Sequence, residues 1–350
     1  MTKAQAPANE EIYQKTSVMA QKFLGNQPVV VLGTGATIPL GLPSMPQLAD
    51  ELTSSIPPEQ PGWDEFTQSL ESSGDLEQAL SNSDLPEETV DIIVTKTWEL
   101  VSAKDLECYS RIQNGGVFDL ADLFRYLLRI ANPHLRVITT NYDRVAEYAA
   151  NIVSAHVTTG MTTGWHQRFV SDLVARERPP EPGYEGQVSV LKVHGSLDWF
   201  LDSKGNIQGI PLAPEIPEDT KPLVVTPGTT KYRETHKDPF RTVLSEADRV
   251  IRNANCFLCI GYGFNDDHVQ TVLENQVTKN DVPLVIVTRS LTKNTADSFL
   301  SNPPKQFLFL ESDNNNGTNI YHHESPEGEQ LKELELWQLD NFVKMITGEF

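Results

Sequence analysis

Basic residues are scarce in this chain: 28 Lys and Arg stand against 48 Asp and Glu, a net charge of −20. A surface that binds nucleic acid through phosphates needs a basic patch, so that class is disfavoured. A small-molecule polyphosphate site is not, because backbone N–H groups at a helix start hold phosphates without lysine. Cysteine is scarce as well, with Cys108, Cys256 and Cys259 only, as expected in a reducing cytoplasm. Cys256 and Cys259 form a CxxC inside ANCFLCIG, which reads as a buried strand. Residues three apart on a strand point to opposite faces, so no shared metal is expected. No apolar run approaches the ~20 residues that span a bilayer, and the polar start MTKAQAPANEEIYQKTS has no apolar core of a secretory signal. No GK[ST] follows a glycine turn and no GxSxG occurs, which removes the Walker loop and the nucleophile elbow. Internal repeats and low-complexity segments are lacking too. With no membrane segment and no signal, the expected location is the cytoplasm.

What is present is a series of short apolar runs at 28–33, 135–140, 188–193, 222–226, 255–261, 283–288 and 306–310. Most are continuous rather than alternating, as strands covered on both faces of a parallel sheet are. Amphipathic stretches at 143–153, 239–252 and 266–278 lie between them. The pattern predicts an α/β fold, doubly wound, with a mostly parallel Rossmann-like sheet. The interval 46–130 reads as helical and is expected to be a module inserted in, or packed on, that sheet. The expected divisions are an N-terminal helical segment over 1–27, the main domain over 28–310, and a C-terminal loop and helix over 311–350. Within these, 154–187 reads as a loop region near the site, 311–329 as a polar loop, and 328–347 as the last helix.

Ligands of open α/β sheets sit beyond the carboxyl ends of the strands. Four strand ends here carry polar or glycine-rich tips: GTGATIPLG at 33–41, TTNYD at 139–143, HGS at 194–196 and GYGFNDDH at 261–268. Glycine lets the backbone approach a pyrophosphate, and a helix start offers free N–H groups. A dehydrogenase fingerprint does not fit the first tip. Ile38 stands where a third small residue belongs, and Asp50 and Glu51 fall in a helix rather than closing a second strand. His194 is a candidate base, and Asn141 either positions a reactant or caps the helix beginning near Asp143. Asp143 orients a neighbour, hydrogen-bonds a ribose, or serves as a first-turn acid. His268, with Asp266 and Asp267, reads as a first-turn group, and His322 and His323 as solvated residues of a polar loop. Trp165 and His166 sit where they would cover the site.

GTGAT, PLGLP at 39–43, TTNYD, VHG and IGYGFND, in this order, resemble the sirtuin-like superfamily, in particular its bacterial NAD-consuming members used in antiphage defence. The resemblance spans roughly residues 28–290. It implies that Gly33, Thr34, Gly35, Ala36 and Thr37 hold NAD phosphates. Asn141 and Asp143 match the family's asparagine and aspartate, and His194 its catalytic histidine. Gly261, Tyr262, Gly263, Phe264, Asn265 and Asp266 would line the adenosine half. Protein deacylases of the family follow the HG segment with a four-cysteine zinc module. Residues 196–260 hold only Cys256 and Cys259, so no peptide groove and no metal are expected, and water becomes the acceptor. NAD is then a substrate, hydrolysed to nicotinamide and ADP-ribose. The bottom-up chemistry agrees: breaking the C1′–N bond builds positive charge on the ribose and needs a fixed ribose, a group that places water, and a base near neutral pKa. The resemblance further implies a homo-oligomer and a separate partner, a HerA-like ATPase first or an Argonaute-type protein second. A nucleotide-sensing module, binding NAD or ADP-ribose without turnover, is the alternative.

Overall fold

The computed structural model describes residues 5–130, 133–179, 181–226 and 237–349. Helix α1 (Gln5–Leu24) leads into β1 (Val29–Leu32), and helices follow: α2 (Met45–Ser55), α3 (Trp63–Ser73), α4 (Leu76–Asn82), α5 (Glu87–Gln113) and α6 (Asp119–Leu128). Then come β2 (His134–Thr139), α7 (Val145–Ile152), β3 (Ala155–Thr158), β4 (Gln167–Arg168), α8 (Ser171–Val174) and β5 (Gly186–Lys192). The chain continues with β6 (Gly195–Asp202), β7 (Ile207–Gly209), β8 (Thr220–Val224), α9 (Phe240–Arg252), β9 (Phe257–Ile260) and α10 (Asp267–Lys279). It ends with β10 (Leu284–Thr288), α11 (Lys293–Phe299), β11 (Phe307–Ser312), β12 (Thr318–His322), β13 (Ser325–Leu331) and α12 (Leu339–Thr347).

The main sheet has nine strands in the order β13-β12-β11-β10-β9-β1-β2-β5-β3. Pairing is parallel from β11 through to β3 and antiparallel only at β12 and β13. Side-chain alternation divides each central strand between two cores. Val30, Leu32, Leu258, Ile260, Val285 and Val287 face one core, with Trp98, Phe124 and Phe342 from the covering helices. Val29, Val31, Phe257, Cys259, Leu284 and Ile286 face the other, with Phe240, Leu273 and Phe299. Cys256 belongs to the first core and Cys259 to the second, so the two thiols share no face. Burial pushes both thiols up. The sheet is doubly wound and Rossmann-like.

The helical interval is not uniform. α2, α3, α4 and the start of α5 close their own small core around Leu48, Leu52, Trp63, Phe66, Leu76, Leu80 and Ile93. The rest of α5 and all of α6 pack on the sheet through Val101, Cys108, Leu123 and Phe124.

Five sequence expectations need correction. The run 222–226 is β8, which lies in a separate antiparallel sheet of order β4-β7-β6-β8 rather than in the parallel one; a buried edge of a small sheet gives the same continuous apolar pattern. The stretch 154–187 is not only loop, since β3 adds the last strand to the main sheet beside β5. The stretch 311–329 is largely a hairpin, β12–β13, because polar alternation in TNIYH buries Ile320 and His322 on one side. The last helix is accordingly confined to Leu339–Thr347. His322 is 1% exposed, not solvated, and burial lowers its pKa. His323 is exposed as expected.

Candidate active site

β1 lies between β9 and β2 in the sheet: the chain moves from it to β2 on one side, and later to β9 on the other. Between β1 and β9 lies the topological switch point, where loops diverge and leave a crevice. The glycine loop and the GYGF segment meet there backbone to backbone. A Cβ on Gly33 would sit 2.4 Å from the Gly261 carbonyl oxygen, and one on Gly261, whose φ is +54°, would sit 2.3 Å from the Ala36 nitrogen. Both positions therefore need glycine for close approach. The loop itself is two short 3-10 turns, Thr34–Ala36 and Ile38–Leu40. Its N–H groups are engaged within the protein: Gly33 donates to Ile260 at 3.1 Å, Gly35 to Gly261 at 3.1 Å, Ala36 to Gly33 at 3.1 Å and Thr37 to Thr34 at 3.0 Å.

The TTNYD segment follows β2. Thr139 Oγ1 accepts the Asn141 N–H at 3.0 Å and donates to Leu32 O at 3.0 Å, which turns the chain out of the sheet. Asn141 does not cap α7. Its amide Nδ2 reaches back to Gly33 O at 3.0 Å and to Thr37 Oγ1 at 3.4 Å, tying the second tip to the first. Asp143 Oδ1 accepts the N–H of Val145, the first residue of α7, at 3.2 Å, and Arg144 at the N-cap makes no side-chain cap. Asn141 Oδ1 is buried with no hydrogen-bond partner among the described residues.

His194 ends the third tip. After it, Gly195 (φ +92°) turns the chain into the second sheet so tightly that a Cβ would lie 2.0 Å from Leu223 O. This contact is the physical reason for glycine after the histidine. Val225 N donates to His194 O at 2.8 Å, and Tyr142 Oη donates to Val225 O at 2.7 Å. The imidazole Nε2 lies 2.7 Å from Asp266 Oδ2. The other Asp266 oxygen caps α10, accepting from His268 N at 3.1 Å and Val269 N at 3.0 Å. The sequence expectation put Asp266 with the adenosine-lining residues; in the fold it stands against His194.

A cavity lies over these tips. Thr34, Thr37, Asn141, Asp143 and His194 line it, so three of the four tips converge on one space. The fourth contributes only through Asp266 behind His194. Tyr262 and Phe264 are buried in the aromatic core, with Phe264 packed edge-on to Phe299 at 5.2 Å between centroids. Gly263 O and Phe264 O accept from Thr292 and Asn294, and Asn265 is exposed. Trp165 is 79% exposed, and neither it nor His166 lines the cavity.

Sequence reasoning missed the opposite wall and the foundation. The wall comes from the helical interval, chiefly Leu48, Leu52, Leu76, Glu77, Leu80 and Thr97. Beneath the turn, Asp105 of α5 takes Arg144 N at 2.7 Å, Arg144 Nε at 2.8 Å and the Tyr148 hydroxyl. Arg144 Nη1 reaches Asp198 at 2.7 Å. Lys192, fully buried, donates to Asp143 O and lies 3.2 Å from Glu147. An arginine directly after TTNYD and a lysine in a strand were the available signals.

Burial, helped by nearby Asp105, pushes the Asp143 carboxyl up to about 6, against the opposing pull of Lys192, the Val145 N–H and the Thr37 hydroxyl. The folded pKa therefore exceeds the unfolded value of ~3.9. The folded state holds the proton more tightly, so this stabilisation is fully present below about pH 4 and is lost as pH rises through about 6. Asp143→Asn should raise the thermal midpoint at pH 7.5 by about 2–5 °C, with the difference vanishing near pH 4. Scanning calorimetry at both pH values checks this, and an equal midpoint at pH 7.5 would refute the burial cost.

The family model described as SIR2-like domain matches residues 135–315, just over half of the chain. No curated protein matches it. Among solved structures, a Sir2 homologue in complex with NAD is similar at 13% identity, covering 94% of this chain and 94% of that one, with a TM-score of 0.44. A structure bearing on the mechanism and regulation of Sir2 enzymes gives 14% identity, 96% and 100% coverage, and a TM-score of 0.47. A triple mutant of a Sir2 homologue in complex with 2′-O-acetyl-ADP-ribose gives 13%, 94% and 96%, and 0.45.

Proposed function

The chain belongs to the SIR2-like family, and from that premise we propose that it is an NAD glycohydrolase, cleaving NAD to nicotinamide and ADP-ribose. The observation that carries this reading is the convergence of Asn141, Asp143 and His194 on one cavity beyond the carboxyl ends of β1, β2 and β5. Asn141 Oδ1 is buried there without a hydrogen-bond donor among the described residues. A buried acceptor without a donor costs about 1–3 kcal/mol unless something supplies one. A water or a ribose hydroxyl is such a donor.

In this mechanism the C1′–N bond breaks first and its electron pair returns to the nicotinamide nitrogen, which cancels the ring's charge. Positive charge passes to C1′ and the ring oxygen, as in glycosidase transition states. Asn141 places the attacking water, and His194 takes its proton as the new C1′–O bond forms. Asp143 fixes the turn that carries Asn141. The glycine loop is assigned to the phosphates through Thr34 and Thr37, which line the cavity. No acyl-lysine groove enters the scheme. Among the described residues no cluster of three or more His, Cys, Asp or Glu side chains forms a metal site, and no helix is long and apolar enough to cross a membrane.

Within this reading the chain depletes cellular NAD in antiphage defence, restrained until triggered, as a homo-oligomer in the cytoplasm. A HerA-like ATPase is the first partner to test and an Argonaute-type protein the second. Incubating the purified protein with NAD and following nicotinamide and ADP-ribose by chromatography tests the activity. Stoichiometric release of both supports it. Saturable binding of NAD with no release, alone and with each partner added, would instead make the protein a nucleotide sensor.

A further inference from the structure

The strands β5 and β9 are separated in the sheet by β1 and β2, three strand spacings or about 14 Å. Their tips nevertheless meet. The segment after β9 packs on Gly33 and Gly35 of the glycine loop and carries Asp266 to His194, where Oδ2 lies 2.7 Å from the imidazole Nε2. Asp266 is anchored from behind. Its Oδ1 accepts the N–H groups of His268 and Val269, in the first turn of α10, at 3.1 Å and 3.0 Å. Two backbone donors and the positive end of a 13-residue helix hold this carboxylate in its ionised form. The acid is fixed by α10, so it positions the histidine and not the reverse.

An ionised oxygen at 2.7 Å decides which ring nitrogen carries the hydrogen. A bare nitrogen there would set two lone pairs against each other within hydrogen-bond distance, so Nε2 is the protonated atom. In a neutral imidazole the other nitrogen is then an acceptor. Nε2 is itself buried, while His194 keeps 11% of its side chain exposed and lines the cavity. Nδ1 is the basic atom left to it.

We infer that Asp266 is a positioning residue: it fixes His194 in the Nε2–H tautomer, and Nδ1 is the atom that takes the proton of the attacking water. This inference rests on the hydrolase reading above and goes further by naming the acid, the tautomer and the basic atom. As the new C1′–O bond forms, one O–H bond of the water breaks and its hydrogen passes to Nδ1. The imidazolium so formed carries its charge beside the Asp266 carboxylate and returns the proton to solvent once ADP-ribose leaves. Asp266 itself does not line the cavity, so it acts only through the ring.

Two substitutions that both keep the helix cap test this, since Asn and Ser serve at that position as well as Asp does. In Asp266→Asn the amide oxygen is claimed by the His268 and Val269 N–H groups. The amide nitrogen then donates to Nε2 and drives the imidazole hydrogen to Nδ1. Asp266→Ser caps the helix but leaves Nε2 unopposed. In Asp266→Asn, kcat for nicotinamide release should fall about 10²–10⁴-fold, as a wrong tautomer does. In Asp266→Ser it should fall only about 10-fold, because the ring regains a choice of tautomer. KM should stay within about 3-fold of wild type in both. A residue that only capped α10 would leave both variants near wild type, and one that only filled space would make Ser the worse. Nitrogen NMR on protein labelled at histidine, with His194 assigned from His194→Gln, reads the tautomer without any nucleotide. The hydrogen should sit on Nε2 in the wild type and on Nδ1 in Asp266→Asn. A hydrogen on Nδ1 in the wild type, or a kcat for Asp266→Asn no lower than that of Asp266→Ser, overturns the role of Asp266 and leaves the hydrolase reading standing. A wild type that releases no nicotinamide, alone and with each partner added, overturns that reading and the task given to Nδ1 together.

Discussion

Asp105→Ala is expected to destabilise the protein by about 3–5 kcal/mol, the cost of breaking a buried ion pair by removing one partner. Asp105 is fully buried and Arg144 nearly so. The carboxylate accepts from the Arg144 backbone and guanidinium and from the Tyr148 hydroxyl. After the substitution the guanidinium would retain only Asp198 at 2.7 Å, whose side chain is partly exposed. Tyr148→Phe removes one of these hydrogen bonds and should cost only about 1 kcal/mol. Removing both charges at once, in Asp105→Leu with Arg144→Met, should be milder than the sum of the single changes, because only the partly exposed Asp198 is left without its cation. Thermal and urea unfolding of Asp105→Ala, Tyr148→Phe, Asp105→Leu, Arg144→Met and the double variant measure this. A midpoint for Asp105→Ala indistinguishable from wild type would show that the pair contributes nothing.

The consequence reaches the site, because Arg144 is the residue after Asp143 and its own N–H is one of the groups that Asp105 holds. Loosening it frees the turn that carries Asn141. Lys192 restrains the same turn from the other side through Asp143 O. The two buried cations thus act on backbone, not on substrate, and their loss should be visible as stability first and activity second.

Much of this was legible from the sequence, and the reasons are local. Continuous apolar runs bounded by glycine or polar tips report strands covered on both faces, so β1, β2, β5, β9, β10 and β11 stood out. The tips stood out because glycine at 33, 195 and 261 answers to contacts under 2.5 Å that no other residue allows. Partners remote in sequence were not legible. Nothing near 105 says that its carboxylate meets Arg144, and nothing near 77 says that α4 faces β2. Asp266 was noticed but misplaced, because its neighbours Tyr262 and Phe264 are core residues and the segment as a whole looked like a lining. The hairpin β12–β13 was hidden because its polar strands lie at the edge of the sheet, where one side meets solvent.

His194→Ala and Asn141→Ala should each lower kcat for NAD hydrolysis by about 10²–10⁴-fold, the range for loss of a general base or of a water-positioning group. Their effects on KM should differ, and the difference separates their roles. His194 touches Asp266 and the cavity, and its side chain makes no hydrogen bond that holds a loop; its removal should leave KM within about 3-fold of wild type. Asn141 also ties the turn after β2 to the glycine loop, through Gly33 O and Thr37 Oγ1. Its removal should raise KM as well, since the loop assigned to the phosphates loses an anchor. Asn141→Asp should bind NAD worse still, because a carboxylate oxygen would then face the Gly33 carbonyl where an amide donated. Steady-state kinetics on the three variants, with circular dichroism to confirm folding, decide the matter. Equal KM for His194→Ala and Asn141→Ala would detach Asn141 from the phosphate loop, and full turnover by His194→Ala would return that residue to a structural strand end.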